Sequence, residues 1–329
     1  MLLGGRYRVD GELGAGGMGA VFEAEDTSTG DKVAVKLMGK ADDENDLLRF
    51  RREFHTLKGL RHPNIVEVFD FGVDGEQAFY TMELLGGRDL RDCSDMSVEE
   101  LCLVLRDVAS ALALLHARRL IHRDVKPHNV RIVDGRAKLI DFGILATVGL
   151  PQELAGTAPY LPPESYHRLP LDHRVDIASL GALAYRLLAG GHAYPAQRLE
   201  DLPMLWAERP APPSKSRADC PPKLDELVLS MLAQDRMARP ASAAEVIDRL
   251  NDVGALPSDL EDDVSRGYLS SAALIGRERE MAHLGRLVDT ACEGAGSAVI
   301  VEAPSGMGKS RLLEELGLHG QLAGAAIIR

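Results

Sequence analysis

The stretch of residues 120–143 constrains this chain more than any other part, because its second half has the pattern of a β-hairpin. Two β-rich runs, residues 130–133 and 136–140, are separated by Asp134-Gly135. An Asp-Gly pair between such runs is the strongest short-range signal for a two-residue hairpin turn. A turn of this length leaves one register for the two strands, so the pattern predicts which residues face each other.

This register brings two oxygen-bearing side chains together at the open end of the hairpin. Asn129 falls opposite Ile140 and therefore beside Asp141, and amide and carboxylate oxygens are the ligands that a hard Mg²⁺ ion prefers. Asp124 lies on the loop that leads into the hairpin, and Lys126 follows two residues later. A carboxylate acceptor, a cation and two metal ligands suit phosphoryl transfer, in which the protein mainly positions groups and neutralises charge.

Composition limits the classes of protein to consider. The 329 residues carry a formal net charge of −12, which argues against a basic surface for nucleic acid. The four cysteines lie far apart without a C-x-x-C pair, as expected for buried thiols in a reducing compartment. The sequence shows no apolar signal segment and no run of about 18 apolar residues, so we expect a cytoplasmic protein without a membrane partner.

Three short motifs give the chain a resemblance to a known family. His122-Arg123-Asp124, Asn129 and Asp141-Phe142-Gly143 resemble the catalytic-loop and metal-loop motifs of bacterial serine/threonine protein kinases. A lone His-Arg-Asp triplet would indicate only a solvated ion pair, but the spacing across the hairpin disfavours that alternative. The resemblance implies a kinase domain over residues 1–252. Its fold would be α+β and two-lobed, with a small antiparallel sheet and one helix, a larger helical lobe, and ATP between them.

A glycine-rich loop follows the first strand of the predicted sheet. Strands are predicted over residues 7–12 and 20–25, and the glycines between them would let backbone amides approach phosphate oxygens. The same G-x-G-x-x-G pattern also marks Rossmann turns and plain hairpins, but here a strand rather than a helix follows. By resemblance, the nucleotide-binding candidates of this loop are Leu13, Gly14, Gly16, Gly17, Gly19 and Val21.

Lys36 is the predicted phosphate-binding lysine. It lies in the alternating run KVAVKL, which resembles the kinase V-A-I-K element, whereas an isolated strand lysine is most often simply exposed. Glu53 follows in an amphipathic helix predicted over residues 46–60, and the family pairs such a glutamate with the lysine. Glu44, or no partner, is the alternative, but the run His62-Pro63-Asn64-Ile65 after the helix favours Glu53.

The resemblance also implies residues that contact the adenine base. A buried strand predicted over residues 79–85 would place Met82 behind the base and the backbone of Glu83 and Leu85 against it. Ala34 completes this set of candidates. A methionine at a strand end is otherwise simply part of the core.

The segment of residues 144–161 would be the activation segment of such a kinase. It is short and contains only two threonines, Thr147 and Thr157, so we expect weak dependence on its phosphorylation and a substrate-site role for Thr157. Asp176, at the start of an apolar helix, would hold the catalytic-loop backbone, cap its own helix, or do both. Arg239 is expected to pair with Glu164.

A second motif lies near the C-terminus. After an acidic, serine-containing linker (253–271), residues 297–302 predict a strand, and Gly308, Lys309 and Ser310 resemble the end of a P-loop at a helix start. Residues 272–329 would thus be the truncated first part of an α/β P-loop NTPase domain of the signal-transduction (AAA/STAND-like) class. An ordinary glycine-rich strand-to-helix turn is the alternative.

Taken together, the resemblance implies a serine/threonine protein kinase that transfers the γ-phosphoryl group of Mg-ATP to protein hydroxyl groups. Asp124 would accept or orient the hydroxyl proton, Lys126 would neutralise the migrating group, and Asn129 and Asp141 would hold Mg²⁺, or Mn²⁺ in its place. Expected partners are a protein substrate with serine or threonine, and a second copy in autophosphorylation. The alternatives are a nucleotide-sensing pseudokinase that regulates the appended ATPase and, less favoured, a small-molecule kinase.

Overall fold

The computed structural model describes residues 1–16, 19–39, 44–93, 95–150, 154–253, 276–292 and 294–304, with isolated positions between 307 and 320. The strands are β1 (Leu2–Leu3), β2 (Tyr7–Gly16), β3 (Gly19–Asp26), β4 (Lys32–Met38), β5 (Val68–Asp74), β6 (Gln77–Glu83), β7 (Arg88–Asp89), β8 (Leu120–Ile121), β9 (Val130–Val133), β10 (Arg136–Leu139) and β11 (Ala146–Thr147). The helices are α1 (Glu44–Lys58), α2 (Val98–Ala117), α3 (Pro163–Tyr166), α4 (Arg174–Ala189), α5 (Leu202–Leu205), α6 (Pro222–Met231), α7 (Ala243–Val253) and α8 (Glu278–Cys292).

The chain divides into two compact units. The first comprises Met1–Arg61, Glu67–Leu84 and Ala272–Arg329, and the second comprises His62–Val66 and Leu85–Ser271. This division does not test the predicted domain boundaries at residues 252 and 272, which stay predictions. No helix among the described residues is long and apolar enough to cross a membrane.

The first unit is built on a six-stranded sheet with the order β1-β2-β3-β4-β6-β5. Its pairs are antiparallel, and helix α1 packs against β5 with Phe50, Phe54 and Leu57 buried. β2 and β3 extend further into the glycine-rich segment than predicted, because the backbone ladder continues from Gly14↔Val21 to Gly16↔Gly19. The tip of this hairpin, including Gly17, lies outside the described residues.

The second unit is mostly helical, with α2 as its central helix. A capping box between Ser97 and Glu100 satisfies the first backbone amides of α2, which explains why this helix begins at Val98. From Leu101 to Leu115 every residue except Leu103 is buried, so the apolar character all round the helix reflects packing on several sides. Helices α4 and α7 pack against α2, and α6 packs against α4 and α7.

The predicted hairpin is confirmed. β9 and β10 pair antiparallel, with Arg136 opposite Val133 and Leu139 opposite Val130, as a two-residue Asp-Gly turn requires. The amide of Ile140 donates to the carbonyl of Asn129 at 2.8 Å, so the register continues to the open end.

The prediction of a strand over residues 297–302 is wrong, since residues 295–304 are neither helix nor strand. A β-strand is stabilised by a paired neighbour, and no strand pairs with this run within the described part of the chain. Val299 and Ile300, which a P-loop domain would bury, are 49% and 84% exposed. The predicted P-loop fold of this region therefore has no support in the structure.

Candidate active site

Lys36 and Glu53 form the expected ion pair in the first unit. The Lys36 Nζ atom lies 2.8 Å from Glu53 Oε1, and the two residues are only 6% and 5% exposed. β4 presents the lysine, and α1 presents the glutamate. A buried charge is costly to leave unpaired, so each residue fixes the position of the other. The competing partner, Glu44, has no described side chain.

An aromatic cluster surrounds this ion pair. The Tyr80 hydroxyl donates to Glu53 Oε1 at 2.9 Å, and the Tyr80 ring lies 5.8 Å from Lys36 Nζ. The rings of Phe50 and Phe54 pack against Tyr80 in tilted arrangements, at centroid distances of 5.1 and 5.8 Å. Tyr80 was not predicted from the sequence, because its place opposite Lys36 is evident only from the observed β4–β6 register.

The strand register of the same sheet shows where other predicted nucleotide-binding residues of this unit lie. Val21 pairs with Lys36, and Ala34 pairs with Met82, so these residues occupy neighbouring strand positions. The Glu83 amide donates to the Glu67 carbonyl at 2.9 Å. Any contact of Glu83 with adenine would therefore use its carbonyl group. Leu13 and Gly14 are exposed, and all these nucleotide roles stay predictions.

In the second unit, Asp176 anchors the catalytic loop. Its Oδ2 atom accepts from the amide of His122 and its Oδ1 atom from the amide of Arg123, both at 2.8 Å. His116 Nε2 lies 2.9 Å from Oδ2, and Asp176 is fully buried. The N-cap of α4 is His173, so of the two sequence hypotheses for Asp176 the loop anchor is the one observed.

The electrostatics of this anchor favour an ionised carboxylate. Burial alone would raise the pKa of Asp176, but the bond to His116 and the backbone donors hold it below its ordinary value of 3.8. The sequence analysis missed His116, because a lone histidine in an apolar helix carries no signal of this contact. Burial lowers the pKa of His122, and the His122 Nδ1 atom accepts the amide of Asp124 at 3.3 Å.

Asp124 is the centre of a hydrogen-bonded cluster of four polar side chains. The Thr157 hydroxyl donates to Asp124 Oδ1 at 2.8 Å, and the Asn129 amide donates to Asp124 Oδ2 at 3.0 Å. Lys126 Nζ lies 2.7 Å from Asp124 Oδ2 and 2.8 Å from Thr157 Oγ1. The structure thus joins a carboxylate, a cation and a hydroxyl on one site, as phosphoryl transfer to a hydroxyl group requires.

Asp141 lies beyond the paired end of the hairpin in the left-handed backbone region, with a φ of 62°. Aspartate tolerates this region better than most residues do. The following residue, Phe142, is 1% exposed, and its ring packs edge-on to His122 at 4.8 Å. This packing fixes the chain directly after Asp141, while Asp141 itself stays exposed. Its role as a metal ligand stays a prediction.

Backbone pairing holds the start of the activation segment. β11 pairs with β8, so that Thr147 lies opposite Leu120, and Gly149 exchanges two backbone bonds of 2.9 and 2.7 Å with Leu171. At the other end, Gly156 has a φ of 124°, and a Cβ atom there would lie 2.8 Å from Leu161 Cδ1. Glycine at this position therefore lets Thr157 reach Asp124.

One further predicted contact is confirmed, and a predicted phosphate-binding lysine is bonded to its own loop. Arg239 and Glu164 form the expected buried ion pair, with a second bond of 3.0 Å from Arg239 Nη2 to Glu164 Oε2. Near the C-terminus, Lys309 donates to the carbonyls of Ala303 and Pro304 at 2.5 and 2.9 Å. Gly308 has a φ of 78°, and Ser310 lies outside the described residues.

Comparison with known proteins gives one family. The model of the protein kinase domain matches residues 7–249. The chain is 36% identical over 269 residues to a probable serine/threonine-protein kinase PknB of Bifidobacterium longum, covering 74% of the chain and 39% of the relative. It is 34% identical over 273 residues to the serine/threonine-protein kinase PknL of Mycobacterium tuberculosis, covering 79% and 66%. It is 30% identical over 324 residues to the serine/threonine-protein kinase pkn3 of Myxococcus xanthus, covering 91% and 59%. The chain thus spans 39% to 66% of the length of these relatives.

Proposed function

We propose, from the premise that this chain belongs to the protein kinase domain family, that it is a serine/threonine protein kinase acting on protein substrates and on itself. The observation that carries the proposal is the hydrogen-bonded cluster of four polar side chains around Asp124, formed with Lys126, Asn129 and Thr157. The backbone of the loop before Asp124 is held by Asp176. The names of the relatives support the serine/threonine class.

Asp124 is the proposed acceptor for the substrate hydroxyl proton. Its Oδ1 atom accepts a hydrogen bond from the hydroxyl group of Thr157, which supports a site for a serine or threonine side chain. Lys126 donates to both Asp124 and Thr157 and would neutralise charge on the phosphoryl group during its transfer. Preorganised charge of this kind supplies most of the rate in phosphoryl transfer.

The donor set fits a hard divalent cation. Asn129 uses its amide nitrogen for two bonds to Asp124, at 2.8 Å to the carbonyl and 3.0 Å to Oδ2. Its side-chain oxygen is therefore the atom that would bind metal, together with the exposed carboxylate of Asp141. Two oxygen ligands plus ATP phosphates match the preference of Mg²⁺, with Mn²⁺ as a substitute. When bound, the ion would neutralise charge on the phosphates.

In the first unit, the proposed role of Lys36 is to bind the α- and β-phosphates of ATP. Its pairing with Glu53 and the Tyr80 ring holds the ammonium group at one position. Preorganisation matters here, because a flexible lysine would lose entropy on binding the phosphates.

The test of this proposal is a phosphoprotein assay with Mg-ATP on a generic basic protein and on the chain itself. Asp124→Asn and Asp141→Asn should remain folded but lower turnover by several orders of magnitude. Asp134→Asn, in the hairpin turn and outside the site, serves as the matched control and should retain activity. Wild-type turnover by Asp141→Asn would refute the kinase assignment. Nucleotide binding without any phosphoryl transfer would favour the pseudokinase alternative.

A second proposal concerns the C-terminal region. We infer from sequence alone that residues 303–310 begin a P-loop, which would belong to an ATPase domain of the signalling class. Two observations on the described residues stand against this: residues 295–304 form no strand, and Lys309 bonds to carbonyls of its own loop.

A further inference from the structure

Arg186 is a cation in the last turn of α4 whose role the kinase proposal leaves open. Its Nη1 atom donates to the carbonyl of Gly190, the left-handed residue that ends this helix. A cation here modestly stabilises the helix C-terminus, which is the ordinary reason for an arginine at such a position. This bond uses only one of the five N–H groups of a guanidinium.

The remaining N–H groups of Arg186 are accessible to a ligand. The side chain is half-buried, and none of its unpaired nitrogen atoms lies without accessible surface. Within the part of the chain that the structure describes, no carboxylate pairs with Arg186 and no second acceptor bonds to it. The guanidinium therefore keeps its charge and most of its donors for a partner from outside.

Tyr160 connects the end of α4 with the predicted position of the substrate hydroxyl. Thr157 donates to Asp124 Oδ1 at 2.8 Å, and the 3₁₀ turn that ends at Tyr160 begins directly after Thr157. The carbonyl of Tyr160 accepts from Ser179 Oγ of α4 at 2.9 Å. Its ring packs edge-on against His192, in the loop after α4, at a centroid distance of 5.5 Å. The catalytic loop and the end of α4 thus meet at Tyr160.

The Tyr160 hydroxyl group is a second accessible donor. It makes no hydrogen bond with the described residues, and its oxygen is not buried. Burial of the ring raises the pKa of Tyr160 to about 12, so the group stays protonated. The charges of Arg186 and Asp124 act on this pKa in opposite directions, so both charges lie near the hydroxyl group. A guanidinium beside a protonated hydroxyl group offers the donors that a carboxylate accepts.

The segments around this site contain almost no acidic residues. The catalytic loop (122–129), the end of the activation segment with the residues after it (156–163) and the end of α4 with its loop (186–198) share one carboxylate, that of Asp124. The whole chain has a net charge of −12, which attracts basic substrates at long range. Beyond about 8 Å, however, physiological salt screens such charges, so groups in contact with the substrate decide the local preference.

We propose that Arg186 and the Tyr160 hydroxyl group bind the carboxylate of a glutamate or aspartate that lies close in sequence to the phosphorylated serine or threonine of a protein substrate. The inference rests on the proposed kinase function and names the substrate class of its site. The contact is the same before and during phosphoryl transfer. It should therefore change KM for the substrate more than kcat.

The test uses the full chain and a series of peptides with one threonine among neutral residues. Each peptide carries glutamate, glutamine or arginine at one of several positions before or after the threonine, and kcat and KM are measured with Mg-ATP. Arg186→Gln removes the charge but keeps a donor for the Gly190 carbonyl, and Arg186→Glu reverses the charge. Arg249→Gln is the matched control, because Arg249 is a half-buried arginine of another helix, α7, and bonds to Ser230 Oγ at 3.1 Å.

The wild type should prefer glutamate over glutamine about tenfold in kcat/KM at one position, as a charge-assisted hydrogen bond predicts, and should use arginine there least. Arg186→Gln should bring the glutamate-to-glutamine ratio to within about twofold of unity, and Arg186→Glu should prefer arginine at the same position. Arg249→Gln should keep the wild-type ratios. If Arg186 only caps its helix, its variants lower the rates for all peptides alike and leave the ratios unchanged, which would overturn the inference.

The outcomes also separate this inference from the kinase proposal. If the wild type phosphorylates proteins and peptides without a preference for glutamate at any position, the inference alone fails. If it transfers no phosphoryl group, calorimetry with the glutamate peptides and Mg-ADP still tests the site. Binding that Arg186→Glu abolishes would then support the inference while the kinase proposal fails. If the wild type neither transfers a phosphoryl group nor binds these peptides, both fail.

Discussion

Replacement of Asp176 by asparagine tests how strongly the buried carboxylate positions the catalytic loop. Both oxygens of Asp176 are used, Oδ1 by the amide of Arg123 and Oδ2 by the amide of His122 and by His116. Asparagine has one acceptor oxygen, so in either orientation its NH₂ group faces a backbone N–H donor. At least one buried donor is then left unpaired, and the remaining bonds lose the assistance of charge.

The expected loss in the free energy of unfolding follows from these contacts. An unpaired buried donor costs about 1–3 kcal/mol, and a hydrogen bond to a charged group is worth about 1.5–3 kcal/mol against about 1 for a neutral one. We therefore expect Asp176→Asn to lower the free energy of unfolding by about 2–4 kcal/mol. Asp176→Ala leaves three donors unpaired and should lose more, a large part of the 5–15 kcal/mol typical of a domain. A displacement of about 1 Å in the loop that carries Asp124 should reduce kcat about 100-fold.

The assay is urea unfolding, followed by kcat for Mg-ATP and a protein substrate at a temperature at which the variant is folded. Asp172→Asn is the control, because the Asp172 side chain is 25% exposed and, among the residues that the structure describes, bonds only within its own turn and to nearby arginines. Asp172→Asn should lower the free energy of unfolding by less than about 1 kcal/mol. If Asp176→Asn is as stable as wild type and equally active, the loop does not depend on this carboxylate, and the reasoning is refuted.

Three further predictions follow from particular contacts. Burial and the Arg136 charge lower the pKa of His62 from 6.5 to about 4, so the unfolded chain takes up this proton first as the pH falls. The free energy of unfolding should therefore drop by about 2 kcal/mol between pH 7.5 and pH 5, and His62→Gln, measured by urea unfolding, should show a drop smaller by that amount. Thr147→Ala should keep kcat within about twofold in the phosphoprotein assay, because backbone pairing already holds the segment around residue 147. An inactive Thr147→Ala variant, together with stoichiometric phosphate on Thr147 of the wild type by mass spectrometry, would contradict this prediction. Lys36→Met should weaken Mg-ATP binding more than about tenfold by calorimetry, whereas Lys309→Ala should leave it unchanged, because Lys309 is bonded to its own loop; the reverse result would place the working nucleotide site in the C-terminal region.

Local pattern was sufficient wherever neighbouring residues decide the structure. The Asp134-Gly135 turn defined the register of β9 and β10, because a two-residue turn leaves no freedom for slippage. The apolar run of residues 98–118 predicts a long helix, and α2 matches this range to within one residue at its C-terminal end. The family assignment drew on spacing of the same local kind and is confirmed by the match over residues 7–249.

Local sequence pattern gave a wrong prediction where a strand depends on pairing with a neighbouring strand. Residues 297–302 have β-forming composition, yet they form no strand, since a strand is stabilised by neighbours that composition does not reveal. The same reason explains the extent of β2 and β3, whose ladder runs further into the glycine-rich segment than propensity indicates. Glycine disfavours a strand locally, but pairing across the hairpin overrides that preference.

The sequence by itself determined the hairpin that spaces Asn129 from Asp141, and the family. Only the tertiary structure decided that Asp176 anchors the loop instead of capping α4, that His116 supports it, and that Tyr80 shares Glu53 with Lys36. Each of these contacts joins side chains from elements distant in the chain. Their geometry depends on how helices and strands pack, and burial, not sequence spacing, makes such bonds strong.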